Sequence, residues 1–583
     1  MKKILFGALS ALVLFNTGCD SFLDQSPDER VEISNLGQVV QLISSAYSTG
    51  NYGWLCEISS DNIVDINAPY LATQSNGSEV LVHYNLGSYG RMDDEAYKFE
   101  PVKSSTDSDS PTSIWEGCYN AIATVNHALV MLDEIKVKTY GKDASDDVLS
   151  DKIKAAYAEC YLSRAYHHFI LVNVFSQAYK DDEASRNDVG VPYCDTPEDV
   201  VMVNYDRSNV AETYKKIEED LVRGLAWVND INYEMPKWHF NVSAAHAFAA
   251  RFYLYKRDYD KVIEHADAVL GTDATLLPSK LMDYSGFDDC VYSDDYAEVW
   301  QSPDANNNLM LIATYSVQFR RHIGHRYATA GKALRDIEFH LGPNWNWYLM
   351  PAAGVGGGTF YDGTSDHGFT SARIAERFEY TDKVAGIGYA HVVRREFTGT
   401  ELLLERAEAK LLGSNHDIDG CVEDLIAYEE SRQSFSESNK LFYTASGALK
   451  PLTKKMIEDW YVKPKNSNVI LDWSNTEKMS PSFVIPQELY PYLNCLNDMR
   501  RYETAYTGLR FFDVKRFGIE YTHVWSVDAI PFELKWDDPR RAIEVPQEVL
   551  AAGMSSSQEP VKVAKPGSYV RCTDCNSKVE ENN

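Results

Sequence analysis

Positive charge is in short supply in this 583-residue sequence: 56 basic residues face 86 acidic ones, a formal net charge of -30. A field of that sign repels polyanions and speaks against nucleic acid as a partner, while neutral or cationic ligands suit it better. Cysteine is sparse as well, ten in all. Apart from Cys19 they lie scattered at 56, 118, 160, 194, 290, 421, 495, 572 and 575, so no disulfide scaffold is indicated. Cys572 and Cys575 form a lone C-x-x-C pair, which leaves a tail disulfide or two free thiols as the alternatives to a zinc site. Beyond the N-terminus no run approaches the ~20 apolar residues that span a bilayer. Catalytic signatures are missing too: there is no H-E-x-x-H and no nucleophile elbow, and abundant carboxylates do not by themselves define a glycosidase pair. Gly354 to Gly358 lacks the Lys-Ser/Thr of a phosphate loop, and Asp417 to Gly420 lacks the remaining ligands of a calcium loop and reads as a helix-capping turn. No residue is therefore assigned to catalysis, to a cofactor or to a metal.

What is present begins at the N-terminus. Met1-Lys2-Lys3 is a positive n-region and Ile4 to Phe15 a short apolar h-region, the layout of an export signal. Thr17 and Gly18 before Cys19 resemble the lipobox of bacterial lipoproteins, which makes residues 1–18 a signal peptide and Cys19 the acylated first residue of the mature chain. The alternative is a cleaved soluble secretory signal with an incidental cysteine.

The body carries helical period in several places. Ile114, Cys118, Ile122, Val125, Leu129 and Leu132 share one face, as do Ile153, Tyr157, Cys160, Arg164, Ala165 and His168. Tyr214, Ile217, Leu221, Leu225 and Val228 follow a cap at Asn209. Val242 to Gly271 predicts a helix, a tight turn at Lys256-Arg257-Asp258 and a second helix. Alanines at 244, 245, 247, 249 and 250 permit close approach, the logic of a tetratricopeptide hairpin without a strict 34-residue period. A further helix runs from Thr400 to Gly413. Between Gly271 and about Arg394 the chain turns to Asp, Asn, Gly and aromatics, and a second irregular stretch runs from Ser431 to Asn494.

The segments IKAAYAECYLSRAYHHFILVNVF, RREFTGTELLLERAEAKLLG (394–413), RRYETAYTGLRFFDVKRFG (500–518) and DDPRRAIEVPQEVLAAG (537–553) follow in order after CDSFLDQSP. In this order and spacing the chain resembles the SusD/RagB family of outer-membrane nutrient-binding lipoproteins. The resemblance implies a mostly α fold, with tetratricopeptide-like hairpins as scaffold and a large irregular, loop-rich ligand-binding half. It divides the chain into a signal at 1–18, an N-terminal helical region at 19–270 and a C-terminal region at 271–583, with scaffold helices returning near 400–413 and 500–518. It also implies an outer-membrane, cell-surface protein that binds a glycan without turnover and delivers it to a SusC-like TonB-dependent transporter. A peptide-binding counterpart of the RagB kind and, more remotely, a surface glycoside hydrolase are the alternatives. The tail from Met554 to Asn583 departs from the family's usual ending.

Sugar binding needs aromatic faces beside hydrogen-bonding groups. Trp345, Asn346, Trp347 and Tyr348 supply both within four residues, with Tyr361 beyond a Gly-rich run, and core packing is the alternative role. Tyr52, Trp54 and Tyr70 are weaker candidates, better read as packing. Arg320, Arg321, His322, His325 and Arg326 form a local basic cluster able to receive an acidic sugar through bidentate arginine contacts, or else a solvated strand end or transporter contact. Arg500, Arg501, Arg510, Lys515 and Arg516 are assigned to internal ion pairs.

Overall fold

A computed structural model describes residues 35–558 apart from 74–77, 88, 104–106, 199–206, 288, 291, 323–324, 331–341, 344–358, 362–368, 434–451 and 463–469. Cys19, the signal segment, the Gly354–Gly358 run and the Cys572/Cys575 pair therefore lie outside the described residues. The seven described cysteines are free thiols.

The N-terminal part runs through helices α1 (Leu36–Ile43) and α2 (Gly53–Ile58), strand β1 (Val64–Asp65), the β2–β3 hairpin (Tyr70–Thr73, Glu79–Val82) and helix α3 (Arg91–Tyr97). Four long helices follow: α4 (Pro111–Tyr140), α5 (Asp151–Phe175), α6 (Val210–Trp227) and α7 (Val242–Lys256). Antiparallel to α7 comes α8 (Tyr259–Leu270). The expected cap at Asn209 is present, its side chain accepting Glu212 N–H at 2.9 Å, and Asn241 caps α7 in the same way, accepting Ala244 N–H at 3.0 Å. Arg257 ends α7 in the left-handed conformation (φ 67°), which turns the chain within two residues into α8.

α5 lies between α4 and α6 and is buried nearly all round, which is why its apolar residues are not confined to one stripe. Its polar side chains are satisfied inside. Arg164 makes a bidentate pair with Asp220 of α6 at 2.6 and 2.8 Å. His167 bonds Ser163 O through Nδ1 and accepts Ser48 N–H at Nε2, and His168 does the same with Arg164 O and Cys194 N–H. α6 approaches closely at Gly224, where a Cβ would lie 2.5 Å from Leu162 Cγ.

The stretch read as loop contains regular structure that its mixed composition conceals: helix α9 (Ser293–Gln301), strand β4 (Asn308–Tyr315), the short helix α10 (Gln318–Arg321) and strand β5 (Tyr327–Ala328). Next come the pair β6 (Thr359–Tyr361) and β7 (Phe369–Ser371), then strands β8 (Glu376–Asp382) and β9 (Ile387–Thr398). The order β4-β9-β8 is antiparallel throughout, and β9 feeds directly into α11 (Gly399–Leu412). The remaining helices are α12 (Ile418–Gln433), α13 (Lys454–Tyr461), α14 (Asn475–Met479), α15 (Tyr490–Glu503) and α16 (Leu509–Arg516). The chain then forms the hairpin β10–β11 (Tyr521–Trp525, Ile530–Leu534) and helix α17 (Gln547–Ala551). Asp417 Oδ1 accepts Gly420 N–H at 2.9 Å at the start of α12, the capping turn expected there.

α11 is the hub, packed against α7, α8, α12 and α15, so helical hairpins from both ends of the chain share one core. Ion pairs run through that core. Arg251 of α7 bonds Glu396 at 2.8 Å and Glu401 at 2.9 Å, with Glu405 3.7 Å from its Nε. Arg516 reaches Asp513 at 2.8 Å and Glu408 at 2.6 Å, Arg500 pairs with Asp513 at 3.2 Å, and Arg510 and Arg501 both meet Asp61. These arginines are paired internally, as the sequence predicts. Lys515 is not: its buried ammonium donates to the carbonyls of Asn173 (2.5 Å) and Ser176 (2.6 Å) where α5 ends, and burial lowers its pKa to about 7. Helix carbonyls without intrahelical partners take the place of the expected carboxylate.

Candidate functional site

The basic cluster at 320–326 does not form a patch, because neighbouring residues on a short helix and strand point in different directions. Arg320 is exposed and forks onto Glu376 of β8, with Nε 2.8 Å from Oε2. Arg321 is buried on Asp93 (2.8 and 2.9 Å) and Asp107. His322 packs edge-on to Trp54 and Tyr506, and burial lowers its pKa to about 3. An anionic sugar finds no array of free guanidinium groups here.

Arg326 organises something else. β1 and β5 pair antiparallel, setting Asp65 opposite Tyr327, and the Arg326 guanidinium forks onto Asp65 at 2.9 and 2.6 Å. Its carbon lies 4.9 Å from the Trp525 ring centroid, 5.2 Å from that of Tyr89 and 5.2 Å from that of Tyr327. Arginine is suited to this role, since a planar, weakly hydrated cation can stack on aromatic faces while its edge holds a carboxylate. Asp65 also accepts Ser526 N–H at 2.7 Å, and Ser526 stands in the left-handed region (φ 61°) in the turn after Trp525. The strained turn and the indole are thus fixed to β1.

Asp94 of α3 anchors the second side. It accepts the Trp525 indole N–H at 3.0 Å and the Tyr327 hydroxyl, and Lys98 pairs with its other oxygen at 2.8 Å. Burial acts to raise the Asp94 pKa, but these donors outweigh it and hold the carboxyl below its ordinary value. Burial and Asp94 together push the Tyr327 phenol up. Tyr97 packs at a tilt against Tyr327 (4.7 Å, 31°) and stacks on His523 (4.1 Å). Tyr327 is buried and Trp525 half-buried, while Tyr89 is 44% exposed. The outcome is an aromatic rim whose rings are oriented by polar partners and whose outer ring faces solvent. Tyr84 and Leu86 pack beside it on Ile66, Ala328 and Ala330.

Ala330 is the last described residue before 331–341. Trp345, Asn346, Trp347 and Tyr348 lie outside the described residues; Tyr361 ends β6, and only its backbone is described. Tyr52 and Trp54 are core residues, Tyr52 bonded to Glu396 and Trp54 to Asp93. Sequence reasoning missed Tyr89, Asp94, Tyr327 and Trp525 because they come together from distant positions and none carries a local motif.

Among the described residues, a groove of about 910 Å³ between α8, α11, α12 and the 271–307 segment is lined by no aromatic side chain, and its cations are engaged, Arg406 with Asp424 and Asp267 and Lys410 with Asp424.

Stacked helical hairpins that carry a small antiparallel sheet and an aromatic, polar-lined rim define a mostly helical scaffold. Residues 21–254 match the protein-family model described as "SusD-like_3: Starch-binding associating with outer membrane". Among solved structures, a SusD superfamily protein from Bacteroides thetaiotaomicron VPI-5482 is 15% identical, with 90% of this chain and 98% of that one covered at a TM-score of 0.54. A SusD superfamily protein from Bacteroides vulgatus ATCC 8482 is 18% identical over 90% and 99% of the two chains (TM-score 0.51). A SusD-like carbohydrate binding protein from the same organism is 13% identical over 91% and 100% (TM-score 0.51). At these identities the likeness is one of fold. No curated protein matches the chain. The chain is thus similar to SusD-like proteins: residues 21–254 match their family model, and the fold is that of the SusD superfamily structures.

Proposed function

We propose that this chain is a cell-surface lipoprotein, anchored through acylated Cys19, that captures a glycan at the Arg326 rim and delivers it without turnover to a SusC-like TonB-dependent transporter. The observation that carries the reading is the arrangement of Tyr89 and Trp525 around Arg326, with Asp65 and Asp94 fixing the rings. Aromatic plates next to oriented polar groups match the C–H faces and hydroxyls of a pyranose. The family description, which names starch binding and the outer membrane, supports the same reading. Trp345, Asn346, Trp347 and Tyr348 complete the surface in this proposal, with Tyr361 and the exposed, Glu376-oriented Arg320 as outer contacts.

The ligand is a neutral glycan. Around the rim Arg326 is matched by Asp65, Lys98 by Asp94, Arg91 by Glu95 and Arg321 by Asp93, and the chain's field is strongly negative. A uronate or sulfated sugar would have to displace these carboxylates. Among the described residues no helix is long and apolar enough to cross a membrane; in this proposal the acyl chains on Cys19 hold the protein at the surface.

The test is calorimetric titration of the mature chain against neutral oligosaccharides, their uronate counterparts and cationic peptides. Binding of a neutral oligosaccharide without product release is expected. Binding of peptides alone would replace the reading with the RagB-like one, and product release would replace it with a hydrolase. Co-purification of the detergent-solubilised chain with a large outer-membrane barrel tests the transporter step.

A further inference from the structure

The α7–α8 hairpin carries a pair of histidines that the proposed function leaves unused. His246 on α7 and His265 on α8 face each other with their Nδ1 atoms 3.0 Å apart, ring centroids 5.2 Å apart and planes at 45°. Two metal–nitrogen bonds of about 2.0–2.1 Å meeting near the tetrahedral angle separate their nitrogens by about 3.3 Å, so the observed spacing is within a few tenths of what one ion requires.

The surroundings favour lone pairs over protons. Burial lowers the His246 pKa, and burial together with His246 lowers that of His265 to about 4, so both rings are neutral at pH 7. Without a metal the 3.0 Å contact is a hydrogen bond in which one Nδ1 carries the proton; moving that proton to Nε2 lets each ring offer an Nδ1 lone pair to the same point. Tyr253 stacks on His265 at 5.7 Å and 14°, fixing its plane. The nearby cation Lys261 is matched by Glu218 at 3.2 Å and Asp258 at 3.5 Å, while the exposed Glu264 supplies negative charge beside both imidazoles. His246 is half-buried, which leaves the pair open to solvent on one side.

We propose that His246 and His265 form a two-histidine site for a divalent transition metal of the zinc, nickel or copper type, which staples α7 to α8. Imidazole nitrogens suit these ions. Among the described residues no third His, Cys, Asp or Glu joins the pair as a ligand, so water completes the coordination and the site is a surface staple rather than a closed structural centre.

The experiment uses the mature chain without a histidine tag, stripped with chelator and titrated with ZnCl2 or NiCl2 by calorimetry, beside His246→Gln and His265→Gln. One equivalent is expected to bind the unmodified chain, with affinity at least tenfold weaker in both variants. A matching apo Tm shows that each variant has kept the fold. One equivalent of Cu2+ read by electron paramagnetic resonance is expected to show two imidazole nitrogens, and a different pattern in His246→Gln, whose partly exposed site makes it the safer variant. Equal affinity in the unmodified chain and His246→Gln, or no binding to the unmodified chain, overturns the proposal.

Discussion

The Arg326 guanidinium lies 4.9 Å from the centroid of the Trp525 indole, joining the strand that precedes the 331–341 segment to the hairpin that follows α16. A cation held by Asp65 is thereby placed under a ring held by Asp94. Neither residue could orient the other if its own carboxylate were lost.

Asp94→Asn tests that dependence. The substitution keeps the volume but weakens the acceptor for Trp525 and Tyr327 and removes the nearer of the two carboxylates that pair with Lys98. Hydrogen bonds to charged groups are worth about 1.5–3 kcal/mol. Glycan affinity is expected to fall by roughly tenfold, equivalent to about 1.4 kcal/mol, with a red shift of indole fluorescence as Trp525 loosens. Unchanged affinity and an unchanged spectrum would count against the coupling.

The scaffold makes an opposite pair of predictions for two arginines. Arg251→Met strips Glu396, Glu401 and Glu405 of their shared cation in a fully buried setting, and breaking such a cluster from one side costs about 3–5 kcal/mol. Arg320→Ala removes an ion pair whose arginine is 59% exposed, worth no more than about 1 kcal/mol. Urea denaturation of both variants should separate them clearly; similar midpoints would contradict the role given to the buried cluster.

Acid should weaken the scaffold through α5. His167 and His168 are buried and neutral, and burial lowers their pKa values to about 4 and about 3. Unfolded histidines titrate near 6.5, so below that pH the unfolded chain binds more protons and stability falls, down to about pH 4 to 3. Asp109, raised to about 7 by burial, works in the opposite direction over part of this window. Comparison with His168→Gln therefore isolates the effect: the variant should lose less stability than the unmodified chain between pH 6.5 and 4.5. Parallel pH profiles would show that protonation at Nε2 does not break the Cys194 contact.

Much of the scaffold was legible in the sequence because helical period is local. The predicted hairpin at 242–271, with its turn at Lys256-Arg257-Asp258, appears as Val242–Lys256 and Tyr259–Leu270. The sheet was not legible. β9 is largely buried along its C-terminal half, and β8 is an exposed edge strand mixing charge with aromatics, so neither shows simple alternation. The rim was harder still: Asp65, Tyr89, Asp94, Arg326 and Trp525 belong to four separate parts of the chain, and only the pairing of β1 with β5 and the return of β10 bring them together. Adjacent charges misled for a related reason, since Arg320 faces solvent while Arg321 turns inward to Asp93.

The most direct test of the proposed function is calorimetry of the mature chain and its Trp525→Ala and Tyr89→Ala variants against the neutral oligosaccharide that binds best, with Tm measured in parallel. Tyr89 is exposed, so its loss should leave Tm within a few degrees while weakening affinity at least tenfold, with Trp525→Ala weaker still. Glycan affinity equal to that of the unmodified chain in both folded variants would contradict a binding site at the Arg326 rim.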